Sequence, residues 1–304
     1  MTGYIEQHGN SISFPANGQS WVILSDIERR IKEKIEKISK PLKDWDINIY
    51  RGILTGCNEA FIIDKQKRDE LIKKDKKSAE IIRPILRGRD IKRYGYEFAE
   101  QYIIATFPSR KYNIDDYPAV RDYLLKYGKQ KLEQSGKPGS RKKTTHKWFE
   151  TQDPIAYWDD FSKQKIMWAE TMRIHKSDIH NFPRFGFTKK EIFTDKTCFF
   201  ATGDHLYYIL AYLNSSLGRY LCKRYVSILD NGGYLMQKTY LEPVPIIKPI
   251  NDKIKEFEII CKRIIEGHND KYEFEISKRI YDLYGFSQDE IQYIENDNLE
   301  PLSR

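Results

Sequence analysis

Three prolines lie close together at Pro243, Pro245 and Pro249 and divide the 304-residue sequence into two unlike parts. Because proline lacks a backbone N–H and resists both helix interiors and central strands, regular structure is expected to break at this segment. Before it, segments with strand and helix periodicity are mixed, whereas beyond it apolar residues recur at helical spacing. The sequence therefore predicts an α+β body with a mixed sheet and a small helical tail. The predicted units are an N-terminal lead-in and helix at 1–45, the body at 46–249 and the tail at 250–304.

Local patterns predict the first elements of the body. Ser25 and Glu28 have the spacing of a capping box, which indicates the start of a helix, and Pro41 ends that segment. Apolar residues alternate in 46–53, and a turn at 56–58 leads to a second apolar segment at 59–63. This arrangement predicts two paired strands.

The net charge of +8 is unevenly distributed along the chain. Residues 251–304 contain 8 Lys and Arg against 13 Asp and Glu, which leaves 44 against 31 in the preceding part. Residues 1–250 are therefore strongly basic and suit a polyanionic partner, whereas the tail is acidic. Basic residues concentrate at 83–93 and at 126–147, and the second stretch contains a Gly-, Pro- and Ser-rich segment that predicts a flexible cationic loop.

A search for catalytic motifs finds no convincing site. The sequence has no glycine-rich phosphate loop and no Asn/Asp-Pro-Pro-aromatic motif of an adenine methyltransferase. Asp75 and Lys77 have the acid–x–Lys spacing of a metal-dependent nuclease but lie in a lysine-rich stretch, and His175, Asp178 and His180 have no further strong donor beside them. We therefore expect no catalytic residue, no bound metal and no cofactor in this chain.

The cysteines and the hydropathy pattern indicate the compartment. The four cysteines are far apart and form no CxxC pair, which argues against a zinc ribbon and a disulfide scaffold. No apolar run approaches the ~20 residues of a membrane span. A cytoplasmic protein without a membrane partner is the expectation.

Two segments resemble a known family. Residues 49–63, with Arg51-Gly52, Thr55-Gly56 and Asn58-Glu59-Ala60-Phe61, resemble the first marker of the TaqI-like C-terminal specificity domain. Residues 83–94, which include Arg87-Gly88-Arg89-Asp90-Ile91, are similar to its second marker. The family supplies the target recognition domain of type IIG restriction–modification enzymes and related adenine-specific methyltransferases.

The resemblance implies a module that recognises double-stranded DNA from the major groove and has no catalytic activity of its own. A methyltransferase or nuclease domain or subunit would then be the protein partner, and S-adenosylmethionine and Mg²⁺ are expected only there. The acidic tail is expected to pack on that partner or on a second specificity unit. Alternatives are a Mg²⁺-dependent endonuclease or adenine-N6 methyltransferase with an unrecognised motif, and a sequence-independent binder of nucleic acid, including RNA.

The candidate DNA-binding residues are cations in the two basic stretches and in a polar loop after residue 170. They are Lys92, Lys137, Arg141, Lys142, Lys143, Lys147, Arg173, Lys176 and Arg184. Most of the lysines are expected to bind phosphates, and one or two arginines among Arg141, Arg173 and Arg184 to read bases. For Arg87, Arg89 and Arg93 a structural role and a DNA contact remain equally open, since Asp90 is expected to pair with one of them.

Overall fold

The computed structural model describes residues 24–175, 178–267 and 270–299. The helices are α1 (Asp26–Ile38), α2 (Asn58–Phe61), α3 (Lys65–Lys74), α4 (Pro118–Lys126), α5 (Lys129–Leu132), α6 (Leu206–Asn214), α7 (Ser216–Tyr225), α8 (Lys238–Leu241), α9 (Asn251–Ile265), α10 (Asp270–Tyr284) and α11 (Gln288–Leu299). The strands are β1 (Ser39–Pro41), β2 (Ile47–Arg51), β3 (Ile62–Asp64), β4 (Ile82–Leu86), β5 (Ile91–Lys92), β6 (Gly95–Tyr96), β7 (Gln101–Ile104), β8 (Lys165–Ala169), β9 (Thr171–Met172), β10 (Phe185–Thr188), β11 (Phe193–Thr194), β12 (Cys198–Gly203), β13 (Ser227–Ile228), β14 (Tyr234–Leu235) and β15 (Pro245–Ile247).

Two four-stranded sheets form the centre of the body. The first has the order β10-β8-β12-β2 and is antiparallel throughout. The second has the order β11-β4-β7-β3 and is mixed, because β11 runs parallel to β4. Strands β8 and β12 are buried along nearly their whole length, as expected for inner strands of a sheet covered on both faces. The predicted α+β class is confirmed.

The prediction that 46–53 pairs with 59–63 is wrong. Strand β2 pairs with β12, and β3 pairs with β7 in the other sheet. The turn between them leads into helix α2, whose Ala60 and Phe61 are buried, so the apolar run at 59–63 is helical for most of its length. An apolar run this short does not distinguish a strand from a buried helical turn.

The capping box at α1 is present as predicted. The backbone N–H and the hydroxyl of Ser25 both donate to the carboxylate of Glu28 at 2.9 Å, and the N–H of Glu28 donates back to the Ser25 hydroxyl. The chain then enters β1, which pairs antiparallel with β15 in a separate two-stranded sheet. The proline-rich segment is thus an edge strand, where a missing donor costs least.

The helical tail shares a core with the body. A single hydrophobic cluster joins Ile31 and Ile35 of α1, the apolar face of α6, and Phe257, Ile280 and Ile294 of the tail helices α9, α10 and α11. The C-terminal helical region is confirmed, and it covers α6 and α7. Within the described ranges, no helix is long and apolar enough to cross a membrane.

Candidate nucleic-acid interface

A tight turn after β4 leaves Arg89 exposed and binds the side chain of Arg87. Gly88–Asp90 forms a single 3-10 turn in which the Asp90 carboxylate, 7% exposed on its side chain, accepts from the Arg87 backbone N–H at 2.8 Å and from its guanidinium at 3.1 and 3.2 Å. The Gly88 N–H donates to the Thr197 hydroxyl at 3.0 Å, which fixes the turn against the segment before β12. Arg89, between these anchors, is exposed, and its side chain has no hydrogen bond or ion pair within the described ranges.

Of the three arginines left open by the sequence, Arg87 and Arg93 are structural. Arg87 forms an ion pair with Asp90, which agrees with the prediction that Asp90 pairs with one of these arginines. Arg93 donates to the carbonyls of Pro183 and Asn214 at 2.8 Å each and pairs with Glu273 of α10. Among the three, Arg89 alone keeps a guanidinium that no described residue engages and that can contact a ligand.

The polar loop that follows β9 is held by one of its own arginines. Arg184 is half-buried, and its Nη1 donates to the carbonyl of Asn181 at 3.0 Å and to that of Arg173 at 3.5 Å. Burial lowers the pKa of Arg184, which still remains charged at neutral pH. The Arg173 side chain is exposed and makes no hydrogen bond or ion pair with any described residue. Lys176, also predicted to bind DNA, lies outside the described residues.

The turn and the loop line one depression, which we call the basic groove. Its cations are Arg87, Arg89, Lys92, Arg173 and Arg184, and it has a volume of about 740 Å³. Glu170 and Asp195 are the acids in its lining. The Glu170 carboxylate is occupied by Arg51 at 2.9 Å and by the Gln237 amide at 3.0 Å. The groove thus brings together three sequence-predicted residues, Lys92, Arg173 and Arg184, from segments about 80 to 90 positions apart in the chain.

The remaining predicted residues belong to a second element, the basic loop at 135–147. Lys137, Lys142, Lys143 and Lys147 are exposed there, and none has an ion-pair partner in the part of the chain that the structure describes. Four unpaired ammonium groups on one loop form a site suited to phosphates.

Arg141 is not available to DNA. It is 4% exposed, and its guanidinium donates to the backbone carbonyls of Leu132, Thr55, Glu150 and Trp148 at 2.7 to 2.8 Å. Burial lowers its pKa to about 10, so the group is still charged at neutral pH. The expectation that Arg141 reads bases is therefore wrong, since every face of its guanidinium is used inside the fold.

Arg141 also changes the description of the basic loop. The sequence predicted a flexible segment without an anchor, but Arg141 and the buried Gln134 hold it from inside. Thr55 and Gly56 of the first marker lie against Arg141, and the Thr55 carbonyl accepts from its guanidinium. Gly56 has φ +78°, and a Cβ there would lie 2.9 Å from the Arg141 Cδ. The first marker therefore supports the basic loop.

Comparisons with known proteins identify the family to which this chain belongs. The family model of the TaqI-like C-terminal specificity domain matches residues 83–246, which include the whole basic groove and the basic loop. The chain belongs to this family. No curated protein matches it.

Two solved structures share the fold of this specificity domain. The type IIL restriction-modification enzyme MmeI, solved in complex with DNA, matches with a TM-score of 0.59 and 13% identity over 86% of this chain and 36% of its own. The type IIG restriction endonuclease BpuSI matches with a TM-score of 0.56 and 12% identity over 90% of this chain and 32% of its own. The chain therefore spans about a third of the length of these enzymes.

Some residues that line the basic groove were not predicted from the sequence. Asn181 and Thr197 supply polar side chains there, and Thr197 also anchors Gly88. Neither lies in a basic stretch, so clustering of charge along the sequence does not reveal them. The described residues contain no group of three or more His, Cys, Asp or Glu side chains placed to hold a metal ion.

Proposed function

We propose that this chain is a sequence-specific reader of double-stranded DNA in a restriction–modification system, and that methyl transfer and cleavage are carried out by another domain or subunit. The family and the two structural neighbours support a DNA-recognition module. The observation that carries the finer proposal is the convergence of Arg89 and Arg173 in one groove, each exposed and without a partner among the described residues.

Arg89 and Arg173 are proposed to read bases from the major groove. A guanidinium can donate two parallel hydrogen bonds to guanine O6 and N7, which distinguishes guanine from the other bases. To recognise a base in this way, an arginine needs a side chain that is free to contact the base edge and a backbone that is held in place. The contacts of Asp90 with Arg87 restrain the backbone at Arg89. At Arg173 the restraint is weaker, because its carbonyl accepts from Arg184 at 3.5 Å.

Lys92 and the four exposed lysines of the basic loop are proposed to hold phosphates. Arg51 contacts Glu170 in the groove wall, and the carbonyl of Thr55, four residues further on, accepts from Arg141 at the base of the loop. Four residues span at most about 14 Å, less than half of one ~34 Å helical turn of DNA. One duplex can therefore contact both elements.

A selection experiment tests the proposal. The 304-residue chain is incubated with random duplexes, bound DNA is enriched, and affinity for the selected site is compared with affinity for random duplex at one salt concentration. Arg89→Ala or Arg173→Ala should weaken binding to the selected site by about 1–3 kcal/mol, roughly 5- to 150-fold, with little effect on random duplex.

Arg263→Ala is the matched control, because Arg263 is an exposed arginine on tail helix α9. Equal losses on selected and random DNA would mean that the two arginines contact phosphates only. Failure to enrich any site would favour the sequence-independent binder. Cleavage or methyl incorporation by stoichiometric chain with Mg²⁺ and S-adenosylmethionine would favour the enzyme alternative.

The partner is proposed to be a methyltransferase or nuclease domain or subunit, since the match to this chain covers only 36% and 32% of the two enzymes. The acidic tail is the surface proposed for it. Because α9 to α11 share the core with α1 and α6, surface substitutions on the tail test this contact better than a deletion does.

A further inference from the structure

A second cavity lies between α7 and the tail helices. It has a volume of about 800 Å³ and is lined by the α6–α7 junction, by α10 and α11, and by His180 and Phe182 of the polar loop. Its polar lining includes the buried Arg219, the exposed Lys278 and the hydroxyl residues Ser216 and Ser277. A cavity of this size is in the range that holds small ligands.

Arg219 is the unusual group in this cavity. It is 5% exposed, and its Nε and Nη2 have no hydrogen-bond partner among the described residues. Of the nearby acids, Glu295 accepts from the Tyr281 hydroxyl at 2.6 Å and Glu273 pairs with Arg93. The exposed Asp178 also acts on Arg219 through its charge but forms no ion pair with it. Burial lowers the pKa of Arg219 to about 10, helped by the charge of Arg93, so the side chain is still a cation at neutral pH.

Comparison with Arg141 shows that Arg219 lacks hydrogen-bond acceptors in the described ranges. Both arginines are more than nine-tenths buried as residues, but the guanidinium of Arg141 has four carbonyl acceptors and that of Arg219 has none within the described part of the chain. A buried charge without a partner is costly, so an arginine in this position indicates a partner that comes from outside the described chain.

We propose that this cavity binds one compact oxyanion, a carboxylate or a single phosphate group, through Arg219. The Nε–H and Nη2–H bonds form the edge of the guanidinium that donates in parallel to two oxygens. In the observed conformer these two nitrogens are shielded from solvent. Because the guanidinium donates no hydrogen bond to a described residue, a change of its terminal torsion angles can turn this edge toward the cavity, with Lys278 as the second cation.

The acids around the cavity argue against a nucleic-acid backbone as the ligand. Glu273, Asp282 and Glu295 all line it, and together they would repel a chain of phosphates more strongly than one anion. This inference does not depend on the proposed reading of DNA, because a compact anion requires neither Arg89 nor Arg173.

The test is titration calorimetry of the 304-residue chain with inorganic phosphate and, separately, with succinate, in chloride buffer at constant ionic strength. Saturable 1:1 binding of either anion is expected, and the arm that binds identifies a phosphate or a carboxylate as the ligand. Arg219→Gln should weaken it at least about tenfold, since it removes a charged two-hydrogen-bond contact. Lys278→Gln should weaken it by a smaller factor.

Arg224→Gln is the matched control, since Arg224 lies on the same helix and pairs with Asp297 outside the cavity lining. It should retain the affinity of the unaltered chain, and circular dichroism checks that each variant is folded. Absence of saturable binding of both anions, or equal affinity in Arg219→Gln, would overturn the proposal. A short duplex is then added as a competitor of phosphate. If it displaces phosphate equally from the unaltered chain and from Arg89→Ala, the site receives a DNA phosphate, and this outcome also contradicts the proposal.

Discussion

The carbonyl oxygens around Arg141 come from segments on both sides of the basic loop and from the first marker. Thr55 is 86 positions away from Arg141 in the chain, while Leu132, Trp148 and Glu150 flank the loop. One side chain therefore satisfies several backbone acceptors that would otherwise be buried without a donor. We therefore expect Arg141 to contribute more to stability than an exposed ion pair, which contributes about 0–1 kcal/mol.

Arg141→Met should lower the free energy of unfolding by about 3 kcal/mol, because it leaves the carbonyls unsatisfied while keeping most of the side-chain volume. Urea denaturation monitored by circular dichroism measures this change. Lys142→Met, at the exposed neighbouring position, is the control and should change stability by less than about 0.5 kcal/mol. A loss in Arg141→Met no larger than in the control would contradict a structural role.

Sequence alone could predict that Asp90 pairs with an arginine, because three arginines lie within three positions of it, but not that the partner is Arg87. It could not separate Arg141 from its neighbours Lys142 and Lys143, because composition describes the whole segment as polar and cationic. What distinguishes Arg141 is a set of carbonyls brought near it by the fold, including one from Thr55, and no local pattern encodes that proximity.

Among the elements, the basic loop and the basic groove are proposed to have different tasks on DNA. Replacing all four exposed loop lysines, Lys137, Lys142, Lys143 and Lys147, by Gln should reduce the slope of log K against log[salt] by about 0.9 for each phosphate that the loop no longer neutralises, up to about 3.6. The preference for a selected site over random duplex should stay nearly the same. Fluorescence anisotropy at several salt concentrations gives both quantities.

A matched variant carries the same charge change away from the proposed interface. It replaces the exposed lysines Lys32, Lys253, Lys255 and Lys271 by Gln. The slope should then change by much less, because only long-range attraction is reduced. Equal slopes for the two quadruple variants would mean that the basic loop acts through net charge alone.

Helix α11 docks on α1 and α7 through carboxylates, which makes its attachment sensitive to acid. Asp289 accepts from Arg30 at 2.7 Å, Glu290 from Lys34 at 2.7 Å, and Asp297 pairs with Arg224. Hydrogen bonds from Ser287 and Arg30 lower the pKa of Asp289 to about 2. Burial alone would raise the pKa of Glu290, but the hydrogen bonds from Lys34 and Ser287 lower it overall.

The sign of the pH effect follows from these lowered pKa values. Between about pH 4 and pH 2 the unfolded chain binds more protons than the folded one, so stability falls as the pH falls through this window. Urea unfolding from pH 5 to pH 2 should show this decline, and it should be shallower in a double variant, Asp289→Asn with Glu290→Gln. Asp159→Asn, at an exposed position, should leave the decline unchanged.

The elements themselves were predictable where a pattern was long or capped. The capping box at α1 and the helical spacing of the tail are local signals, and both elements are present. Sheet partners were not predictable: β2 and β3 follow each other in sequence but belong to different sheets. Their pairing depends on contacts with β12 and β7 that lie about 40 to 150 positions away.

At the scale of the whole molecule, the sequence pattern changes at the proline-rich segment, but the residues on both sides of it belong to one hydrophobic cluster. Tyr208 and Tyr212 of α6 donate from their hydroxyls to the carbonyls of Ile247 and Pro245 in β15 at 2.7 and 3.1 Å. The Tyr208 ring also packs edge-on against Phe257 of α9. The proline-rich segment therefore contacts α6 of the body, and α6 in turn packs on helix α9 of the tail. The unit boundaries inferred from the sequence remain a prediction.

This shared core predicts how the chain responds to loss of the tail. Truncation after Pro249 should abolish cooperative thermal unfolding, because the apolar face of α6 would be exposed and the cluster would lose the tail side chains that cover it. Phe257→Ala, which empties a position 2% exposed, should cost about 3–5 kcal/mol, while Ile259→Ala, 53% exposed on the same helix, should cost less than about 1 kcal/mol. Calorimetry and chemical denaturation distinguish these cases. A truncated chain that still unfolds cooperatively and binds DNA normally would show that the tail is an appendage, and the sequence-based division at Pro249 would then describe a true unit boundary.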